Sequence, residues 1–351
     1  MRNYITILKM LNKRALILIG LAVFLFIFLP GISQAETNND WLHTDGRLIK
    51  DASGNVVNLR GVHMYVCLQN EQAKFIQAAA MGANVIRLAL WKNAIEGNPS
   101  GPCVGMDGLV EIDKAVQYAK NAGLKVILDE HFWSLNVEDA PLEFFTDPAL
   151  QASWLNMWQT LINRYKNDPT VVGIDLMNEP WAIVGRTIAN KPQWEAIAEN
   201  AVAVLHPLNP NLIIFVEGWG PQTQPMWSDI PFLQQPNVAI SDHVYGQKTF
   251  QYLSDRYEIY TSQEIPVWLG EIGFTSSEES FMISQLNSFD SLGLHYTLFV
   301  YGVASWNLSY DIVDSSYNLT SIGLIYSNHL NSMSPPADTI PPVAPTGLTV
   351  N

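Results

Sequence analysis

Two glutamates stand out by their setting. Glu179 lies in Asn178-Glu179-Pro180 and Glu271 in Gly270-Glu271-Ile272-Gly273, and each falls at or near the end of an apolar, β-branched run, 171–179 and 266–273. Two carboxyl groups facing one another are the equipment for hydrolysing a glycosidic bond. At a separation of about 5–5.5 Å one attacks the anomeric carbon and the other exchanges a proton, whereas about 6.5–9.5 Å leaves room for a water and inverts the centre. Their mutual repulsion is expected to keep one protonated near neutral pH while the other stays ionised.

Other polar side chains fall at the same end of similar runs: His63, Arg87, Asp129, His131, Asn178, Glu217, His243, Tyr245 and Trp306. Charges scattered by core variation would appear at both ends and in the middles. One-ended clustering is what a mouth lined with reactive groups produces. Asp129, Asp175 and Glu217 are expected to support neighbours rather than react. The histidines and carboxylates lack the HExxH or HxH spacing of a metal site, so neither metal nor other cofactor is expected.

The elements that must hold these residues read clearly. Eight short apolar runs, 56–64, 84–90, 125–131, 171–179, 212–218, 238–245, 266–273 and 295–306, are apolar throughout, as parallel strands covered on both faces require. Helix-like segments alternate with them at 71–82, 109–123, 148–168, 191–206, 248–264 and 277–293. The first two end at Gly82 and Gly123, and the third begins with Pro148 just after Asp147. Eight strands alternating with helices predict an α/β fold, a (β/α)8 TIM barrel, with reactive groups at the C-terminal strand ends. An open doubly wound sheet lacks support, since no glycine-rich loop follows the first run. Strands four and seven would carry Glu179 and Glu271 across the mouth from each other.

Taken in order, Ile86-Arg87-Leu88, Asp129-Glu130-His131, Asn178-Glu179-Pro180, His243-Val244-Tyr245, Gly270-Glu271-Ile272-Gly273 and Ser305-Trp306 resemble glycoside hydrolase family 5, the cellulase-type family, over most of residues 41–325. The resemblance implies an acid/base role for Glu179 and a nucleophilic role for Glu271. It places Asn178 on the substrate 2-hydroxyl, Arg87 and Tyr245 against the nucleophile, His131 and His243 around the cleavage subsite, and Trp306 under the sugar. His63 stands where many members carry Asn, and Asp129-Glu130-His131-Phe132 departs from the usual pattern, which puts the outer subsites in doubt. A retaining endo-β-1,4-glucanase acting on cellulose or a related β-glucan is the leading expectation. β-Mannanase, xyloglucanase, lichenase and glycolipid glycosidase use the same machinery, and a barrel that binds sugar without turnover is a further alternative. Trp91, Trp133, Trp181 and Trp219 follow strands, where they serve either as sugar platforms or as core.

Residues 1–35 read as a secretory signal peptide: Arg2, Lys9, Lys13 and Arg14 precede an apolar run, and Ser33-Gln34-Ala35 supplies small residues for cleavage. The alternative, a retained anchor, requires roughly 20 apolar residues, and the run is shorter. Secretion leaves 36–331 as the catalytic domain, with no membrane association after cleavage and a monomer expected. Loss of four basic and no acidic residues takes the net charge from −14 to about −18. Such acidity excludes nucleic acid as a partner and suits a neutral polysaccharide. Cys67 and Cys103 either pair in an oxidising compartment or stand as separate small apolar residues. The proline-rich stretch 332–351 resembles a linker running into the start of a fibronectin type III-like module.

Overall fold

The computed structural model describes residues 40–68, 70–99, 101–133, 140–220, 223–302 and 309–333. Residues 1–35, read from the sequence as a signal peptide, Trp306 and the stretch after Met333 lie outside these residues. A hairpin of β1 (His43–Asp45) and β2 (Leu48–Lys50) comes first, turned at Gly46, whose φ of +60° suits a residue without a side chain. Eight parallel strands follow: β3 (Arg60–Tyr65), β4 (Val85–Trp91), β5 (Lys125–Phe132), β6 (Val171–Asp175), β7 (Ile213–Glu217), β8 (Val238–Tyr245), β9 (Val267–Gly273) and β10 (His295–Leu298). They pair in sequence order, and β10 returns to β3 to close the barrel. The (β/α)8 expectation therefore holds, although the strands are mostly shorter than the apolar runs that announced them.

Nine helices are present among the described residues: α1 (Gln72–Ala80), α2 (Lys92–Ile95), α3 (Gly108–Asn121), α4 (Pro148–Tyr165), α5 (Lys191–Leu205), α6 (Ile230–Leu233), α7 (Phe250–Thr261), α8 (Glu279–Ser291) and α9 (Ser321–Met333). Asp107 caps α3 by accepting from the Leu109 and Val110 amides, and Asp147 caps α4 through Ala149. The α9 helix lies beyond the last helix-like segment expected from the sequence, 277–293. Ile322, Tyr326 and Leu330 are its buried face, and Tyr326 donates to the Gly61 carbonyl at 2.7 Å. That helix runs two residues beyond the predicted domain end at 331.

The barrel interior explains why only one mouth is open for chemistry. Val85, Ile127, Val172, Ile213, Phe215, Ala239 and Trp268 form an inner cluster separate from the larger core under the helices. Leu42 and Ile49, flanking and within the hairpin, join that cluster, so the hairpin plugs the N-terminal end. The Thr44 amide donates to Asn237 Oδ1 at 2.8 Å and pins it there. Polar groups are left to the other end.

Cys67 and Cys103 form a disulfide, with Cα atoms 5.3 Å apart. It ties the segment after β3 to the one after α2. Closing 36 residues of separation restrains the unfolded chain by about 3–4 kcal/mol in the loop-entropy account. Cys103→Ser is accordingly expected to lower the urea midpoint of unfolding. A midpoint equal to that of the oxidised parent would show that these loops hold without the bond.

Candidate active site

The end of β6 sets the first glutamate. Strand β6 ends at Asp175, although the Leu176 amide still donates to the Phe215 carbonyl of β7 at 3.1 Å. Glu179 then adopts φ +44°, a left-handed conformation uncommon for a residue with a side chain, at a cost on the order of 1–3 kcal/mol. Strain of this kind survives where the surroundings dictate it. The Asn178 amide donates to the Glu130 carbonyl at 2.9 Å, and the Ala182 amide to the Glu179 carbonyl at 2.6 Å. Glu271, in contrast, sits within β9, where the register against both β8 and β10 shifts by one residue between Leu269 and Ile272.

One oxygen of each carboxylate and one ring nitrogen of His243 lie within 4.8 Å of one another. That nearest-oxygen approach favours the closer of the two spacings weighed from sequence. Around Glu271 the donors are fixed: Arg87 Nη1 reaches Oε1 at 2.8 Å and the Tyr245 hydroxyl donates to Oε2 at 2.6 Å. Both oxygens are thus bonded, which orients the carboxylate. Burial, then the Glu271 charge, pushes the Tyr245 hydroxyl well up, so it remains a donor.

Arg87 is the hub. Fully enclosed, it contacts Asp175 Oδ2 at 3.1 Å, Asp129 Oδ1 at 3.0 Å, Asn178 Oδ1 at 3.1 Å and His63 Nδ1 at 3.1 Å besides Glu271. Burial opposes its charge, but Asp129, Asp175 and Glu271 outweigh that and raise its pKa. Gly270 leaves the space this cluster occupies. A Cβ there would lie 3.0 Å from Asp175 Oδ2 and 3.1 Å from both Arg87 Nε and His243 Nε2. Any larger residue before Glu271 would have to displace charged atoms.

Glu179 is bonded to His243 Nδ1 at 2.8 Å. Burial pushes this carboxyl up, yet the His243 bond and the charges of His243, His131 and Arg87 outweigh burial and hold it below the ordinary carboxylate value. This corrects the expectation that repulsion alone keeps one glutamate protonated. A histidine cation touching the carboxylate outweighs a second carboxylate farther off.

Sequence-named residues divide into two shells by position. Asn178, His131, His243 and Tyr245 gather around the glutamates, with His131 Nδ1 on Asp129 Oδ2 at 2.8 Å and 3.8 Å from Glu271. His63 and Arg87, grouped with them as substrate-binding, are fully buried and face the carboxylates from beneath. The reason is packing: Tyr65, His131 and Phe299 surround the His63 ring at centroid distances of 4.9–5.0 Å. Burial also drives the His63 pKa well below its usual value, leaving a neutral ring.

A cleft of about 460 Å³ opens beside Glu179, lined by Trp181, His243, Tyr245, Lys248 and Tyr252. Lys248 and Tyr252 went unnoticed in the sequence because they follow β8 in an ordinary polar stretch. Of the strand-following tryptophans, Trp181 lines this cleft, whereas Trp91 stacks on Phe132 in the core at 4.4 Å and Trp219 is buried. Two clusters could gather a divalent cation, His63-Asp129-His131 and Glu179-His243-Glu271. In both, the Arg87 guanidinium already supplies positive charge, and the Nδ1 atoms of His131 and His243 are bonded to carboxylates.

A model of the cellulase family, glycosyl hydrolase family 5, matches residues 50–305. The endoglucanase of Paenibacillus polymyxa is 26% identical over 258 residues, covering 63% of this chain and 64% of that protein. Endoglucanase B of Acetivibrio thermocellus is 27% identical, with 60% and 44% covered, and the major extracellular endoglucanase of Xanthomonas campestris pv. campestris is 26% identical, with 59% and 49% covered. The chain thus spans less than two thirds of the length of these curated relatives. A Saccharophagus degradans β-glucanase solved with cellotetraose superposes with a TM-score of 0.68 at 20% identity, over 87% of this chain and 98% of that one. An endogalactoceramidase gives 0.65 at 18% identity, over 83% and 84%. Such identities speak for the fold alone.

Proposed function

We propose that this chain, which belongs to the cellulase family, glycosyl hydrolase family 5, is a retaining endo-β-1,4-glucanase acting on cellulose or a related β-glucan. The observation that carries the reading is the pair of carboxylates within 4.8 Å, one doubly bonded by Arg87 and Tyr245 and the other bonded by His243. Glu271, oriented by Arg87 and Tyr245, attacks the anomeric carbon while Glu179, in the protonated form that the His243 contact makes the minor one, gives its proton to the departing oxygen. A glycosyl ester on Glu271 results. Its formation removes the Glu271 charge, and Glu179, now a carboxylate, takes a proton from the water that attacks the same carbon. Glu271 is released and the configuration is restored.

Asn178, fixed by Arg87 at 3.1 Å, is placed to bond the 2-hydroxyl, an interaction that tightens as oxocarbenium character develops. Because Glu179 protonates the leaving group, the cleft beside it receives the departing half of the chain, with the Trp181 face as a stacking surface. The same reading takes residues 1–35 as a secretion signal and the stretch after Met333 as a linker to a fibronectin type III-like module. It also takes the enzyme to be extracellular and monomeric. Among the described residues no helix is long and apolar enough to cross a membrane.

The test is a reducing-sugar panel over carboxymethylcellulose, lichenan, xyloglucan, xylan and β-mannan, with a glycosphingolipid alongside. The β-1,4-glucan should be cleaved fastest. Faster release from mannan or the glycolipid would redirect the substrate, and binding without turnover on every arm would remove the enzymatic reading.

A further inference from the structure

Glu217 ends β7 with no exposed surface and has no part in the mechanism above. Its carbonyl accepts from Trp194 Nε1 at 2.8 Å and its Oε1 from Trp181 Nε1 at 3.4 Å, which fix its position. The remaining oxygen, Oε2, faces His243 Nε2 at 3.4 Å, and neither atom has a hydrogen-bond partner of its own among the described residues. On the far side of the same ring, Nδ1 lies 2.8 Å from Glu179 Oε1 and 3.7 Å from Glu271 Oε2. Carboxylate oxygens therefore face both nitrogens of a buried imidazole. A neutral ring carries one N–H and would turn a lone pair toward one of them. Buried lone pairs facing one another are costly, so either the ring carries both protons or the carboxyl behind it keeps one, and burial does push the Glu217 carboxyl well up against the pull of the His243 charge.

We propose that Glu217 is a positioning residue for Glu179: from behind His243 it keeps a proton on both ring nitrogens and so fixes a cation against the acid/base. The proposal rests on the reading of Glu179 as that acid/base. The remaining charged groups around the ring are accounted for. Asp175, raised by its own burial, and Arg87 bond each other at 3.1 Å, and His63 is neutral. Arg256, which lines the same cleft, is tied to Asp242 at 2.7 Å. Burial works against a charge on His243, but Glu217, Glu271 and Glu179 outweigh it and push the pKa up to about 10. Glu217 is the counter-ion that has no other task.

Glu217→Gln tests this while preserving shape. Its amide oxygen can still accept from Trp181, and its N–H would face Nε2, which must then be bare. The ring stays in place and loses its charge. In 15N-histidine-labelled wild type at pH 8, the His243 resonances, identified by their loss in His243→Asn, should report both ring nitrogens protonated. In Glu217→Gln at the same pH one nitrogen should be bare. A general acid works in its protonated form, present below its pKa and lost above it. Removing the cation raises that pKa, so the high-pH limb of kcat/KM should move up by about one pH unit. A neutral His243 ring in wild type, a doubly protonated ring persisting in Glu217→Gln, or an unmoved limb once the ring is neutral overturns the proposal. The spectra can be read whether or not glucan is hydrolysed. An inactive wild-type protein with the expected spectra counts against the proposed activity and not against the Glu217–His243 pairing.

Discussion

Glu271→Ala should lower kcat/KM on carboxymethylcellulose by at least about 10³-fold, because the proposed mechanism assigns the attack on the anomeric carbon to its carboxylate alone. Removal of the side chain leaves Arg87 and the Tyr245 hydroxyl facing an empty space that a small anion can enter. Azide with an activated β-glycoside should then yield the α-glycosyl azide from this variant. Glu179→Ala should differ in kind: with a good leaving group the glycosyl ester still forms, and azide attacks it to give the β-glycosyl azide. The two products separate nucleophile from acid/base without reliance on rate alone. Wild-type turnover in Glu271→Ala, or the same azide anomer from both variants, would remove the assignment of roles.

Arg87→Met carries the largest expected effect on stability. The guanidinium neutralises Asp129, Asp175 and Glu271 in a place without exposed surface, and methionine of similar length fills the space without the charge. Removing one partner of a buried ionic cluster costs about 3–5 kcal/mol, since the charges left behind have no water. Lysine is a poor rescue, as one ammonium cannot reproduce a fork that meets five acceptors at once. Urea unfolding followed by tryptophan fluorescence checks the loss. A midpoint within error of wild type would mean that the three carboxylates are not jointly dependent on Arg87, and the proposed orientation of Glu271 would lose its support.

Much of the framework was legible because its causes are local. Apolar β-branched runs become the strands of a two-sided sheet, and Gly82 and Gly123, at φ +93° and +73°, end helices where no side chain opposes that turn. The motif residues that the structure describes were legible as well, since each stands in or just after a strand that topology carries to one mouth. What stayed hidden depends on contacts between distant parts of the chain. His63 looked like a lining residue until the neighbouring rings enclosed it. Trp91 and Trp181 both follow strands, and only packing sends one into the core and the other into the cleft. The protonation of Glu179 was misjudged for the same reason: the ring against it comes from residue 243, and the counter-ion behind that ring from residue 217. The hairpin plug at Leu42 and Ile49 is too short to show a strand pattern. The α9 helix does carry a readable signal, Ile322, Tyr326 and Leu330 at helical spacing.

The central claim is that two carboxylates at the closer spacing act by double displacement. Proton NMR of the first product released from a cello-oligosaccharide, recorded before mutarotation, tests it most directly. The β-anomer should appear first and drift toward the equilibrium mixture; an α-anomer as the first signal would mean a single displacement and would contradict the roles given to Glu179 and Glu271.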